Sequence, residues 1–111
     1  MARITCVLLL ALPVQALLAQ SPPEAETFDR TFSRALEMQK AGDYVGAIET
    51  YKAALTIDPK RVDALSNLGA AYVHLGQFED AIAQYKTALA IDPGNAAVRM
   101  YLSLASNKSA R

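Results

Sequence analysis

The chain is poor in the residues that carry most protein chemistry. Among 111 residues there is one cysteine, one histidine and no tryptophan. With Cys6 as the only thiol, no internal disulfide and no thiolate metal cluster can form. His74 has no second histidine to join it, so a transition-metal site would depend on carboxylates, and none shows ligand spacing. Eleven basic and eleven acidic side chains cancel. No field of one sign therefore steers the molecule toward nucleic acid or anionic lipid. No basic cluster and no interleaving of aromatic with basic residues suits a nucleic-acid groove. Ser66, Ser103 and Ser106 lack a G-x-S-x-G setting. Asp43, Glu79, Asp80 and Asp92 sit where helices are expected to start or end, which accounts for them structurally. Sustained period-two alternation is also missing, so no strand is expected. Nothing here calls for a catalytic residue, a cofactor or a metal.

Long apolar runs are missing except at one place. Met1 to Ala19 carries Arg3 as its only charged side chain, and Ile4 to Leu12 is apolar apart from Thr5. Pro13 breaks this run, and the small residues Ala16 and Ala19 follow. That order matches a secretory signal, with removal after Ala19 expected and Ala16 as the alternative. The sequence thus predicts an exported protein, bacterial periplasmic or secreted. Cys6 lies away from the cleavage point, so this is no lipoprotein signal, and the processed chain would contain no thiol. The competing reading is an uncleaved membrane anchor, which would make the membrane a partner. Ile4 to Ala19 falls short of the roughly 20 apolar residues that a bilayer span needs. Residues 20–23, containing Pro22 and Pro23, read as a linker, and residues 24–111 as one domain.

Within that domain one pattern occurs twice, at a constant offset along the chain. Gly42, Ala47, Ile48, Tyr51, Lys52, Ala54, Leu55, Ile57, Asp58 and Pro59 recur identically as Gly76, Ala81, Ile82, Tyr85, Lys86, Ala88, Leu89, Ile91, Asp92 and Pro93. A fixed period of that length, one helical hairpin long, marks stacked helical hairpins. Apolar residues at spacings of three and four predict five helices, near Glu24–Lys40, Tyr44–Ile57, Val62–Leu75, Phe78–Ile91 and Ala96–Asn107. Glu24 and Glu26 are expected in the first turn of the first helix, and Leu65, Leu68, Ala71, Tyr72 and Leu75 on the inward face of the third. Gly42 and Gly76 can take the left-handed conformation that ends a helix, and Asp43 and Asn95 are good N-caps. Asp58-Pro59 and Asp92-Pro93 stop the helices before them. Small residues, among them Gly69, Ala47 and Ala81, allow close crossings, while Tyr51, Tyr72 and Tyr85 fill the larger gaps.

Leu65, Leu68-Gly69, Tyr72, Ala81, Tyr85 and Pro93 stand in the order of the tetratricopeptide signature, with Leu65 where the family has tryptophan. The chain resembles that family from about Phe28 to Asn107. Repeats fall at about 28–61 and 62–95, with a terminal helix at about 96–107. The resemblance implies an all-α, α-α superhelix, a right-handed solenoid of antiparallel hairpins. It also implies a non-enzymatic module that binds a protein or peptide in a groove lined by the first helix of each pair. Some members grip a terminal carboxylate with lysine, asparagine and arginine. Here Asn67 matches one such place, but Phe32, Leu36, Ala97 and Tyr101 hold the others and cannot donate as a basic residue would. The candidate partner-binding residues are Phe32, Leu36, Asn67, Val73, His74, Met100, Tyr101 and Leu104, an apolar set with few polar groups. Packing between repeats is the competing role for the apolar ones. The terminal helix has no following partner, so Met100, Tyr101 and Leu104 are expected at a protein interface. Self-association through that helix is an alternative, as is service as a membrane-anchored accessory subunit.

Overall fold

The computed structural model describes residues 26–111, so the signal and linker assigned to residues 1–23 lie outside the described residues. Five α-helices follow one another: α1 Phe28–Lys40, α2 Tyr44–Ile57, α3 Val62–His74, α4 Phe78–Ile91 and α5 Ala96–Ser109. No strand occurs among the described residues, and none of the helices there is long and apolar enough to cross a membrane. Each helix packs against the next, which gives two antiparallel hairpins, α1–α2 and α3–α4, with α5 stacked on the second. Helices α1, α3 and α5 therefore run parallel along one side.

Local chemistry places the boundaries. Gly42 and Gly76 have φ of 83° and 73°, a left-handed backbone that costs glycine no Cβ clash. The Asp43 carboxylate accepts from the Gly46 amide at 2.9 Å, and the Asn95 side-chain oxygen accepts from the Val98 amide at 3.1 Å. Each satisfies a backbone donor that its helix leaves unpaired. Two boundaries differ from expectation. Thr27 caps α1 by accepting from the Arg30 amide, so Glu26 precedes the helix instead of lying in its first turn. The Glu26 carboxylate instead takes hydrogen bonds from Arg34 and the Thr31 hydroxyl, which hold it below its usual range. Leu75 is the C-cap of α3 and is 39% exposed, because the chain has already begun to turn and its side chain leaves the inward stripe.

The core runs along the seams between consecutive helices. Ala47, Tyr51, Ala54, Ala71, Ala81 and Ala88 have no exposed surface, and Leu65, Leu68 and Tyr85 are buried beside them. Gly69 of α3 shows why a small residue is needed there: a Cβ on it would lie 2.5 Å from Tyr85 Cε1 and 2.7 Å from Cζ. The ring of α4 thus rests directly on the backbone of α3. Tyr51, wholly buried, donates its hydroxyl hydrogen bond to the Gln39 side chain, and burial pushes its phenol up to about 12. No buried side-chain polar atom lacks a partner among the described residues. At the amino ends of α1 and α3, the Arg61 guanidinium lies 3.8 Å from the centre of the Phe28 ring. It also pairs with Asp63 at 2.9 Å and approaches Asp29 and Asp58 at 3.9 and 4.0 Å. This cluster ties the starts of the two parallel helices together.

Candidate groove site

A cleft of about 380 Å³ opens between α3 and α5. Ala70, Val73 and His74 of α3 form one wall, and Tyr101, Leu104, Ala105 and Lys108 of α5 form the other. Tyr85 of α4 lies at its floor, with its ring centre 5.9 Å from that of Tyr101. Burial pushes the Tyr85 phenol up, and the neighbouring Tyr101 adds to the shift. The lining is mainly apolar, and no carboxylate borders it. Exposed apolar surface continues onto α5, where Met100, Tyr101 and Leu104 are 55%, 41% and 52% exposed. A concave apolar surface with a few polar groups can take apolar side chains and orient them with its rim.

The eight residues singled out from the sequence do not share one place. Val73, His74, Tyr101 and Leu104 border this cleft. Met100 lies exposed on α5, just before Tyr101 and outside the cleft lining. Phe32 and Leu36 are half-buried and pack against the core, with Phe32 stacked on Phe28 at 5.4 Å and tilted toward Tyr51 at 5.8 Å. Asn67 turns back on its own helix, where its amide donates to the Asp63 carbonyl at 2.9 Å. The His74 ring stacks on Tyr44, with centres 4.3 Å apart and planes 7° from parallel. Lys108, Ala70, Tyr85 and Ala105 line the cleft but do not stand out as ligand-facing in the sequence. Lys108 carries a usable signal there, since the step from His74 to Lys108 equals the step from Lys40 to His74 and matches the repeat period.

A second hollow, of about 310 Å³, lies at another part of the surface between Val45, Leu75 and Tyr72. It differs in character, because Glu49, Lys52 and Asp80 border it. Lys52 reaches over the Tyr72 ring at 5.9 Å and pairs with Glu49 at 3.8 Å. Its ammonium is held above its ordinary range by Tyr72 first, then by the two carboxylates. Its charged lining sets it apart from the apolar cleft between α3 and α5. Among the described residues, no group of three or more histidines, cysteines or carboxylates converges in a way that could hold a metal ion.

The architecture of antiparallel helix pairs stacked in sequence, with a cleft between α3 and α5, is that of a helical-repeat module. A model of the tetratricopeptide repeat matches residues 38–105, more than half of the chain, and the chain belongs to that family. The TPR domain of Sgt2 from Aspergillus fumigatus is similar in structure, with a TM-score of 0.72 and 32% identity. That match covers 75% of this chain and 55% of that one. The MamA protein matches with a TM-score of 0.73 at 20% identity, over 76% of this chain and 46% of that one. A point mutant of MamA matches with a TM-score of 0.70 at 22% identity, over 85% and 66%. At such identities the MamA likeness shows the fold alone. The chain thus spans about half the length of the first two structures it resembles. No curated protein sequence matches it. Domains of this family are generally non-catalytic and typically bind proteins or peptides.

Proposed function

We propose that the protein is a non-enzymatic adaptor or assembly scaffold that receives a protein or peptide segment in the groove between α3 and α5. One observation carries this reading: Tyr101 and Leu104 border an open apolar cleft while 41% and 52% exposed. Large apolar side chains gathered at one concave place mark a surface that a partner covers. The non-enzymatic role rests on the general character of the family. The pattern of residues 1–19 supports export, to a bacterial periplasm or beyond, as the place where this adaptor works.

The exposure of Met100, Tyr101 and Leu104 on the last helix favours one further reading, in which a second copy of the chain covers α5. A photo-crosslinker at Tyr101, compared with one at Glu49 beside the second hollow, separates the two. We expect adducts with a different protein at Tyr101, few at Glu49, and loss of the former on Leu104→Asp with melting unchanged. Adducts with the chain itself, and a dimer that Leu104→Asp dissolves, would select the second reading. A monodisperse monomer with adducts unaffected by Leu104→Asp would sink both.

A further inference from the structure

The helices that line the groove differ from the helices behind them at one end. Lys40, His74 and Lys108 stand in the last turns of α1, α3 and α5, whereas α2 and α4 have no basic residue there. The three are spaced by the repeat period itself, so the solenoid puts them in the same place in successive units. A basic residue at a helix C-terminus complements the helix dipole, but that effect should act equally on α2 and α4, whose last turns lack one. The dipole alone therefore does not account for the row.

Two of these residues are seated in the same way. The His74 ring lies on Tyr44, and the Lys108 ammonium lies 5.9 Å from the centre of the Phe78 ring. Both pairs join the first residue of a rear helix to the last turn of the next groove helix, at the same separation along the chain. Lys108 forms no ion pair among the described residues, and Lys40 meets only Glu37 at 3.4 Å, with both side chains largely exposed. The opposite end of the groove is different, because Arg61 there is already occupied by Asp29, Asp58 and Asp63. Aromatic rings thus hold basic groups at one rim of an apolar cleft that no carboxylate borders.

The geometry points to a partner segment that carries acidic side chains beside its apolar ones, with the carboxylates on the rim that His74 and Lys108 form beside the cleft and that Lys40 extends from the equivalent place one repeat earlier. This inference rests on the groove reading above and specifies the chemistry of its ligand. It differs from capture of a terminal carboxylate, since Phe32, Leu36, Ala97 and Tyr101 are not basic. The rim groups recur once per repeat on every second helix, so an extended segment meets them at regular intervals.

The test uses the full chain and a fluorescent peptide of about 12 residues, amidated at its C-terminus, with glutamate at every third place among leucine and serine. Glutamine and lysine versions serve as comparisons. Exposed charge pairs contribute about 1.4- to fivefold each, so the glutamate peptide should bind about tenfold tighter than the glutamine one. That preference should fade between low salt and about 0.5 M salt. Lys40→Gln, His74→Gln and Lys108→Gln together should abolish the preference for the glutamate peptide over the glutamine one. Lys40→Arg with Lys108→Arg should keep the preference, which guards against a mere folding defect. Equal binding of the glutamate and glutamine peptides overturns the acidic inference and leaves the groove reading standing. Tighter binding of the lysine peptide overturns the inference too. No binding of any version counts against both.

Discussion

Gly69→Ala offers the sharpest test of how this solenoid packs. Ordinarily alanine improves a helix interior by about 1 kcal/mol over glycine. At Gly69 the added methyl carbon would stand 2.5, 2.7 and 3.0 Å from three ring atoms of Tyr85, distances that force the ring or the helices to move. Tyr85 is 3% exposed and belongs to the main core, so its ring has little room to yield. Overpacking of this kind costs about 1–3 kcal/mol, and after the propensity gain a net loss of about 1 kcal/mol is expected. Urea unfolding followed by far-UV circular dichroism measures it, with Tyr85→Ala and the double variant completing a cycle. In the Tyr85→Ala background the clash is gone, and Gly69→Ala should now stabilise by about 1 kcal/mol. The sign change is the signature. If Gly69→Ala stabilises the unaltered chain, the ring does not rest on the α3 backbone and the packing argument fails. Tyr85 also forms the cleft floor, so the same substitution should alter peptide binding without touching an exposed residue.

Two further outcomes follow from local chemistry. The buried Tyr51 phenol, pushed up to about 12, should ionise last in an absorbance titration at alkaline pH. Its contribution to stability should be complete below about pH 10, where the phenol is protonated in the unfolded chain too, and should be lost as pH rises through about 12. A Tyr51→Phe variant whose alkaline unfolding midpoint matches that of the unaltered protein would count against this. At Gly76, with φ of 73°, alanine should destabilise by about 1 kcal/mol through backbone strain alone, since no atom lies within 4 Å of the added carbon. Gly94→Ala, at a position equally open but without a positive φ, should be near neutral in the same thermal melts.

How much of the molecule could be read from the sequence depends on the distance over which each interaction acts. Helix ends were legible because their causes lie within a turn: Asp43 bonds to Gly46, Asn95 to Val98, and Asp58-Pro59 blocks the helix before it. The one start that misled, at Glu26, did so because an acidic residue that suits a first turn also suits a base further along the chain. Thr27 became the cap and Glu26 was drawn to Arg34, two turns further along. Helix α5 also runs slightly past its expected end, for Ser109 bonds to Glu79 of the neighbouring helix and keeps the final turn formed.

The division of the candidate residues shows the other side. Phe32, Leu36, Tyr101 and Leu104 all sit at apolar helical spacings, and nothing local separates them. Phe32 is taken up by Phe28 and Tyr51, while Tyr101 and Leu104 look into the cleft beside His74, which belongs to a different helix and an earlier repeat. By itself, then, the sequence determined the helices, their order, their repetition and the family, because propensity, caps and a fixed period are written in neighbouring or regularly spaced residues. Only the tertiary structure decided which apolar face is core and which is groove, and that Tyr44 and Phe78 seat His74 and Lys108 on one rim. Burial is a property of what the folded chain brings alongside, and that partner lies about one repeat away.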